Sequence, residues 1–168
     1  MRSIFEALAA EGIEVHIYPS RDNLDYQALS DTVQNIFYHP SLPPDKLLNE
    51  IAQYDFGWAG FNDTLNRVHM NTALPNKLFE YIACGLPVIS FPHEALKRFL
   101  ETHHLGLVID AVSGLRKRLR NPGMAVIRKH VRAHRLDFTV EANIGFIVNM
   151  YLQLCGETAS FCNKQSYN

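Results

Sequence analysis

Short apolar runs of four to six residues alternate along this chain with longer segments whose apolar residues recur at helical spacing. That alternation restricts the fold more than any other feature. Strands separated by helices run parallel, because each helix carries the chain back to the starting edge of the sheet. The expected fold class is therefore α/β, with a Rossmann-like, doubly wound, mainly parallel sheet whose ligands sit beyond the carboxyl ends of the strands. Residues 2–11 predict a helix stopped by Gly12, and Ile13 to Tyr18 alternate as a strand ended by Pro19. Residues 20–33 are polar and poorly patterned. Asn35 to Tyr38 is a second strand, Pro43-Pro44-Asp45 opens a helix carrying Leu47, Leu48 and Ile51, and Phe56 to Phe61 is a third strand. The segment 62–74 has the polarity of a loop. A helix at 75–84, a strand at 86–91, a helix near 94–103 and a strand at 105–109 follow. Asn121-Pro122 has the form of an N-cap and first helical residue for a helix to about 134, and Val140 to Leu154 mark a last amphipathic helix. The chain opens on a helix where this architecture ordinarily opens on a strand. Either a helix precedes the first strand or that strand is missing.

Composition agrees with a folded chain. At 168 residues and 47% hydrophobic, with 20% charged, the sequence supports one domain that buries roughly 70% of its unfolded surface, and it is not that of a disordered chain. No apolar run approaches the roughly 18–20 residues that span a bilayer. An acid at Glu6 and no small-residue cleavage site argue against a secretory signal. Cys84, Cys155 and Cys162 are odd in number and widely spaced, which reads as a reduced, cytoplasmic chain.

The net charge of −1 hides a division. Residues 1–110 hold 7 Lys/Arg against 14 Asp/Glu, and residues 111–168 hold 9 against 3, so the two parts carry −7 and +6. Eight of the sixteen basic residues lie between Arg116 and Arg135, with no acid from Val112 to Leu136. No aromatic is interleaved there to stack bases, so nucleic acid is not an expected partner. Attraction to anionic lipid is another reading of such a block, and a solvated helical face is the ordinary explanation. His130 and His134 are spaced to share a metal ion, but Lys129, Arg132 and Arg135 around them disfavour a cation, and no metal is expected.

The stretch Leu74-Pro75-Asn76-Lys77-Leu78-Phe79-Glu80-Tyr81-Ile82-Ala83-Cys84-Gly85-Leu86-Pro87-Val88-Ile89 is the most informative. Pro75 suits the first helical position and Gly85 the C-terminal cap. At 100° per residue Leu78, Phe79, Ile82 and Ala83 share one arc, while Asn76, Lys77, Glu80, Tyr81 and Cys84 share the other, open to a cleft. The helix start, with its N–H groups and Lys77, is a plausible diphosphate seat. Glu80, one turn and roughly 6 Å along, is placed to accept both hydroxyls of a ribose. The alternative is a solvated face with an i, i+3 pair between Lys77 and Glu80.

The stretch PNKLFEYIACGLPVIS resembles the donor-binding helix of GT-B glycosyltransferases of the glycosyltransferase group 1 (family 4) type. NIFYHPSLPPDKLLNEIAQYDFGWAGF, HHLGLVID and RLDFTVEANIGFIVNMYLQL resemble that family's neighbouring segments in the same order, over roughly residues 1–155. The resemblance implies a retaining, nucleotide-sugar-dependent glycosyltransferase, with residues 1–155 as its donor-binding domain and 156–168 as a frayed tail. It implies donor phosphates at Pro75, Asn76 and Lys77, ribose at Glu80, and the nucleobase beside the turn from His39 to Leu42, including Ser41 and Leu42. Many members carry a sugar-contacting glutamate at the position of Thr72, a departure here. The family's first strand, its glycine-rich diphosphate turn with an Arg and a Lys, and its acceptor domain would precede Met1. The resemblance thus implies a donor domain that lacks its first strand, with its substrate the nucleotide sugar and no cofactor. A missing N-terminal acceptor domain is an expected partner, self-association through apolar surface is possible, and the isolated chain is expected to be inactive. The location implied is cytoplasmic, with peripheral contact at the inner membrane face. Two other readings stand beside this one: a GT-B-like sugar-nucleotide epimerase, which would want more cleft acids than Glu80 and Glu94, and a non-catalytic remnant or interaction module of the same fold.

Overall fold

The computed structural model describes residues 1–61 and 67–155. The elements run α1 (Arg2–Ala10), β1 (Val15–Ile17), α2 (Leu24–Thr32), β2 (Ile36–Tyr38), α3 (Pro44–Ile51), β3 (Gly57–Trp58), α4 (Arg67–Thr72) and α5 (Asn76–Ala83). They continue β4 (Val88–Ser90), α6 (Glu94–His103), β5 (Gly106–Val108), α7 (Leu115–Leu119), α8 (Gly123–His134) and α9 (Val140–Leu154). Every strand pairing is parallel, as the alternation of strands and helices requires. The strands form two small sheets, β1-β2 and β3-β4-β5. Val15 pairs with Ile36, Gly57 with Val88, and Val88 in turn with Gly106. Among the described residues β1 and β3 each have a strand neighbour on one edge only.

The chain divides into two compact units, Met1–Arg135 and Leu136–Asn168. In the first, Leu8 and Ala9 of α1, Leu29 of α2 and Leu115 of α7 pack with Val15, Ile17, Ile36 and Ile89 into one apolar cluster. Side chains alternate across a strand, so Val88 and Ser90, both fully buried, point to the opposite side of β4 from Ile89. α5 and α6 pack against β4 and contribute the buried residues Leu78, Ile82, Leu96 and Leu100. The second unit holds α9, in which no residue is buried.

Glycine ends α1 and α5 in the same way. At Gly12 (φ +71°) the Ile13 amide donates to Leu8 O and the Gly12 amide to Ala9 O. At Gly85 (φ +76°) the Leu86 amide donates to Tyr81 O and the Gly85 amide to Ile82 O. Both are Schellman closures, which need a left-handed residue.

Three helices depart from the sequence reading. α2 falls in the segment read as unpatterned: it buries only Leu29 and is secured by Asn23, whose side chain accepts from the Tyr26 amide at 3.1 Å. α4 replaces part of the loop expected over 62–74; it is one short turn-and-a-half with Val68 exposed, so it has no apolar stripe to read. Residues 62–66 of that loop, and the tail at 156–168, lie outside the described residues. α7 is five residues long and buries only Leu115. The strands are also shorter than their apolar runs, β3 most of all.

Candidate functional site

Helix α5 begins one residue later than its proline suggested. Pro75 is the N-cap, extended at φ −75° and ψ 146°, with no side-chain cap. Its carbonyl accepts from the Leu78 amide at 2.9 Å, while no capping side chain covers the amides of Asn76 and Lys77. Lys77 in the first turn reaches the Gly60 carbonyl, two residues past β3, and the helix is followed by β4, so its first turn stands at the carboxyl ends of the strands.

The two arcs of α5 divide less simply than their periodicity implies. Leu78 and Ile82 are fully buried, and Phe79 meets Phe99 edge to face with centroids 5.6 Å apart. Of the five residues on the polar arc, three turn inward. The Lys77 ammonium donates to Gly60 O at 3.3 Å and lies 5.9 Å from the Phe61 ring, and burial holds its pKa below the ordinary lysine value. The Tyr81 ring lies against Gly57, where a side chain would leave it no room, and burial together with the Glu80 charge pushes its phenol up to about 12. The Cys84 thiol donates to Leu48 O at 3.3 Å, and burial raises its pKa, with Glu80 adding to the shift and Arg135 opposing it. Only Asn76 and Glu80 stay exposed, on one face and one turn apart. Because Lys77 turns to the β3 end, the i, i+3 pair with Glu80 is not formed.

Beside Lys77 the structure gathers Phe61, which the sequence does not single out, and His93, whose place after the strand at 86–91 already puts it at the cleft end of the sheet. Phe61 packs edge to face on the imidazole of His93, which is buried at the carboxyl end of β4, with centroids 5.2 Å apart. A lysine, a phenylalanine and a histidine thus line the ends of β3 and β4. His93 lies two residues past the strand run at 86–91, and that position is the signal that marks it.

Thr72 is exposed on α4, and its hydroxyl donates to His69 O at 3.1 Å, back onto its own helix. Ser41 and Leu42 stand beyond β2. The Ser41 hydroxyl donates to Ser20 O at 3.2 Å, and its amide donates to the Asp22 carboxylate at 3.2 Å, which also accepts from the Tyr38 hydroxyl. The turn after β2 is thereby tied to the loop after β1. Among the described residues no hydrogen bond joins this turn to the start of α5; the two stand beyond strands of different sheets.

A chain of polar aromatic groups supports the first of these sheets. His16 Nδ1 and His39 Nε2 are 2.9 Å apart, Tyr54 Oη is 3.2 Å from His16 Nδ1, Tyr18 and Tyr54 hydroxyls are 2.7 Å apart, and Tyr18 Oη donates to Glu50 at 3.2 Å. Tyr18 and His39 are stacked with centroids 4.3 Å apart. Burial and the neighbouring His39 lower the His16 pKa, against the upward pull of Glu14. His16 and Tyr18 alternate with the core residues Val15 and Ile17, and this period-2 pattern marks them as facing away from the core.

His130 accepts from or donates to no neighbouring imidazole in a ligand-like set: its Nε2 lies 3.0 Å from His103 O, and its ring lies against His134 with centroids 4.3 Å apart. Among the described residues no group of three His, Cys, Asp or Glu side chains is placed to hold a metal ion. Nor is any helix among them long and apolar enough to cross a membrane.

Residues 4–147 match a family model described as glucosyltransferase 3-like, C-terminal domain. No curated protein matches the chain.

Proposed function

Since the chain belongs to the family of glucosyltransferase 3-like C-terminal domains, we propose that it is the donor-binding half of a two-domain, GT-B-type glycosyltransferase that uses a nucleotide sugar. The observation that carries this reading is the face of α5: uncapped amides at Asn76 and Lys77, then an exposed, unbridged Glu80 one turn on. The helix start offers partial positive charge and two N–H donors to a diphosphate. Lys77, held between Gly60 and Phe61, supplies a cation beneath that turn. Its weakened hydration favours a new anionic partner, since a phosphate restores the stabilisation that burial removes. Glu80, acceptor-only when ionised, suits paired ribose hydroxyls. The turn at Ser41 and Leu42, stiffened by Ser20 and Asp22, is assigned to the nucleobase.

In such a site the chain's contribution to transfer is to position the donor and stabilise the departing diphosphate, with the acceptor held by a second domain. Thr72 takes the place of a sugar-contacting acid and engages its own helix, so recognition of the transferred sugar falls to other groups. The sheets support the same reading. An order of 3-2-1-4-5-6 results if one parallel strand is added between β1 and β3. The domain assigned to donor binding is residues 1–155, working at the cytoplasmic side. Exposed Val140, Phe146, Tyr151 and Leu154 on α9 provide an apolar surface for the acceptor domain or, in its absence, for self-association.

The test is titration calorimetry of the 168-residue chain with UDP and GDP. One of them is expected to bind, and Glu80→Ala to weaken it about 10- to 100-fold, the worth of a charged hydrogen bond. Binding of neither nucleotide would refute donor binding and favour a non-catalytic interaction module.

A further inference from the structure

Part of the basic block that the donor site leaves unused lines an open recess. α7 and α8 are joined by Arg120-Asn121-Pro122, and the recess between them has a volume of about 440 Å³. That is within the range of small-ligand sites, roughly 300–1,000 Å³. Four cations line it, Arg120, Arg128, Lys129 and Arg132, with Met124 as an apolar floor, and no acid is among the lining residues. Arg128 is anchored: it meets the Asp55 carboxylate at 2.8 Å and lies 5.3 Å from the Phe56 ring. Among the described residues no carboxylate stands within ion-pair distance of Arg120, Lys129 or Arg132. Three like charges that line one recess with no acid in its lining repel one another, and a polyvalent anion relieves that repulsion.

The amino end of α8 adds nothing to this argument, because its amides are already taken. The Gly123 amide donates to the Asn121 side chain at 2.9 Å, and the Met124 amide donates to Asn121 O at 2.9 Å. The recess rests on side chains. Its position separates it from the donor site. Asp55 comes just before β3, and Arg132 packs over Gly85, just before β4, so the cations stand at the amino ends of the strands while α5 begins at the carboxyl ends. Val126, 71% exposed, lies about 60° around α8 from Lys129. Cations beside an exposed aliphatic residue match a phosphate that lies at an apolar boundary.

We propose that the α7–α8 recess is a second anion site, specific for a phosphate group and separate from donor binding. The phosphate is either a lipid headgroup at a membrane surface or a soluble phosphate compound. The experiment uses the 168-residue chain in two arms. In the first, it is sedimented with phosphatidylcholine vesicles, with and without phosphatidylglycerol. In the second, sodium diphosphate is titrated while amide shifts of residues 119–132 are followed.

Retention on the anionic vesicles alone identifies the headgroup as the source, and amide shifts without retention identify a soluble phosphate. In either case Arg120→Ala/Lys129→Ala/Arg132→Ala is expected to weaken binding on the order of 100-fold, at roughly fivefold per cation. Lys97→Ala/Arg98→Ala, which removes two exposed cations from α6, is expected to leave it unchanged. The three recess positions Arg120, Lys129 and Arg132 are exposed, so an unchanged far-ultraviolet spectrum establishes that the triple variant is folded, and Arg120→Lys/Arg132→Lys is expected to keep most of the binding. No binding in either arm at low salt would overturn the proposal, and so would equal binding by the triple variant.

Discussion

Gly57→Ala tests how the sheet orients the candidate helix. Gly57 is the first residue of β3 and lies under the ring of Tyr81. A Cβ built on it would come 2.1 Å from Tyr81 Cγ, 2.3 Å from Cδ2 and 2.7 Å from Cβ. Rotating the ring about its first side-chain torsion moves Cγ and Cδ2 away but leaves Cβ in place. The α5 backbone must therefore shift as well, and Tyr81 must give up its burial. Overpacking of this kind costs about 2–3 kcal/mol. For a chain of this length that lowers Tm by roughly 4–12 °C. The assay is urea unfolding followed by the fluorescence of Trp58, the only tryptophan, which neighbours the substitution in β3. Tyr81→Ala removes the two closest contacts, so the double variant is expected to be more stable than the sum of the singles predicts, by at least about 1 kcal/mol. Glu80 rides on the same helix, so nucleotide affinity is expected to fall along with stability. A Gly57→Ala protein within about 0.5 kcal/mol of the parent would refute the packing argument, because a surface substitution has that small an effect.

Other outcomes follow from the same geometry. Leu78→Ala empties a fully buried position between α5 and the sheet, and is expected to cost about 2–5 kcal/mol in urea unfolding. The pKa of His16 is lowered in the folded chain, so the unfolded chain binds more protons between that value and about 6.5. Stability is then expected to fall with pH below about 6.5, and His16→Gln to flatten that part of the profile. Lys77, whose pKa burial lowers, regains it beside a diphosphate. Nucleotide binding at a pH of about 9 is therefore expected to take up protons, measured by calorimetry in buffers of different ionisation enthalpy, and Lys77→Met to abolish the uptake.

Much of the fold was legible because its punctuation is strong. Gly12 and Gly85 close helices through left-handed turns, Pro44 opens α3, and each apolar run brackets its strand. α2 was illegible for a physical reason: Leu29 is its one fully buried residue, Tyr26 and Val33 pack on the core only partly buried, and polar residues fill the rest of the segment. The same holds for α7, five residues long, which packs only Leu115 and the partly buried Leu119 on the core. In α5, period alone separated Leu78 and Ile82 from Asn76 and Glu80. It could not foresee Tyr81 and Cys84 turning inward, since the space for Tyr81 is made by a glycine 24 residues earlier and the thiol's acceptor is a carbonyl of α3. The turn from His39 to Leu42 was located by resemblance, whereas its ties to Ser20, Asp22 and His16 depend on strand pairing that no local pattern encodes.

The assignment of Glu80 to the ribose is tested most directly by a cycle that removes either partner of the contact. The bound nucleoside diphosphate is compared with its 2′,3′-dideoxy analogue, each against the parent chain and Glu80→Ala, by titration calorimetry. If the carboxylate accepts the ribose hydroxyls, each single change weakens binding about 10- to 100-fold, and making both together adds little more. If the losses multiply, or if Glu80→Ala binds the ribonucleotide as tightly as the parent, the donor site lies elsewhere.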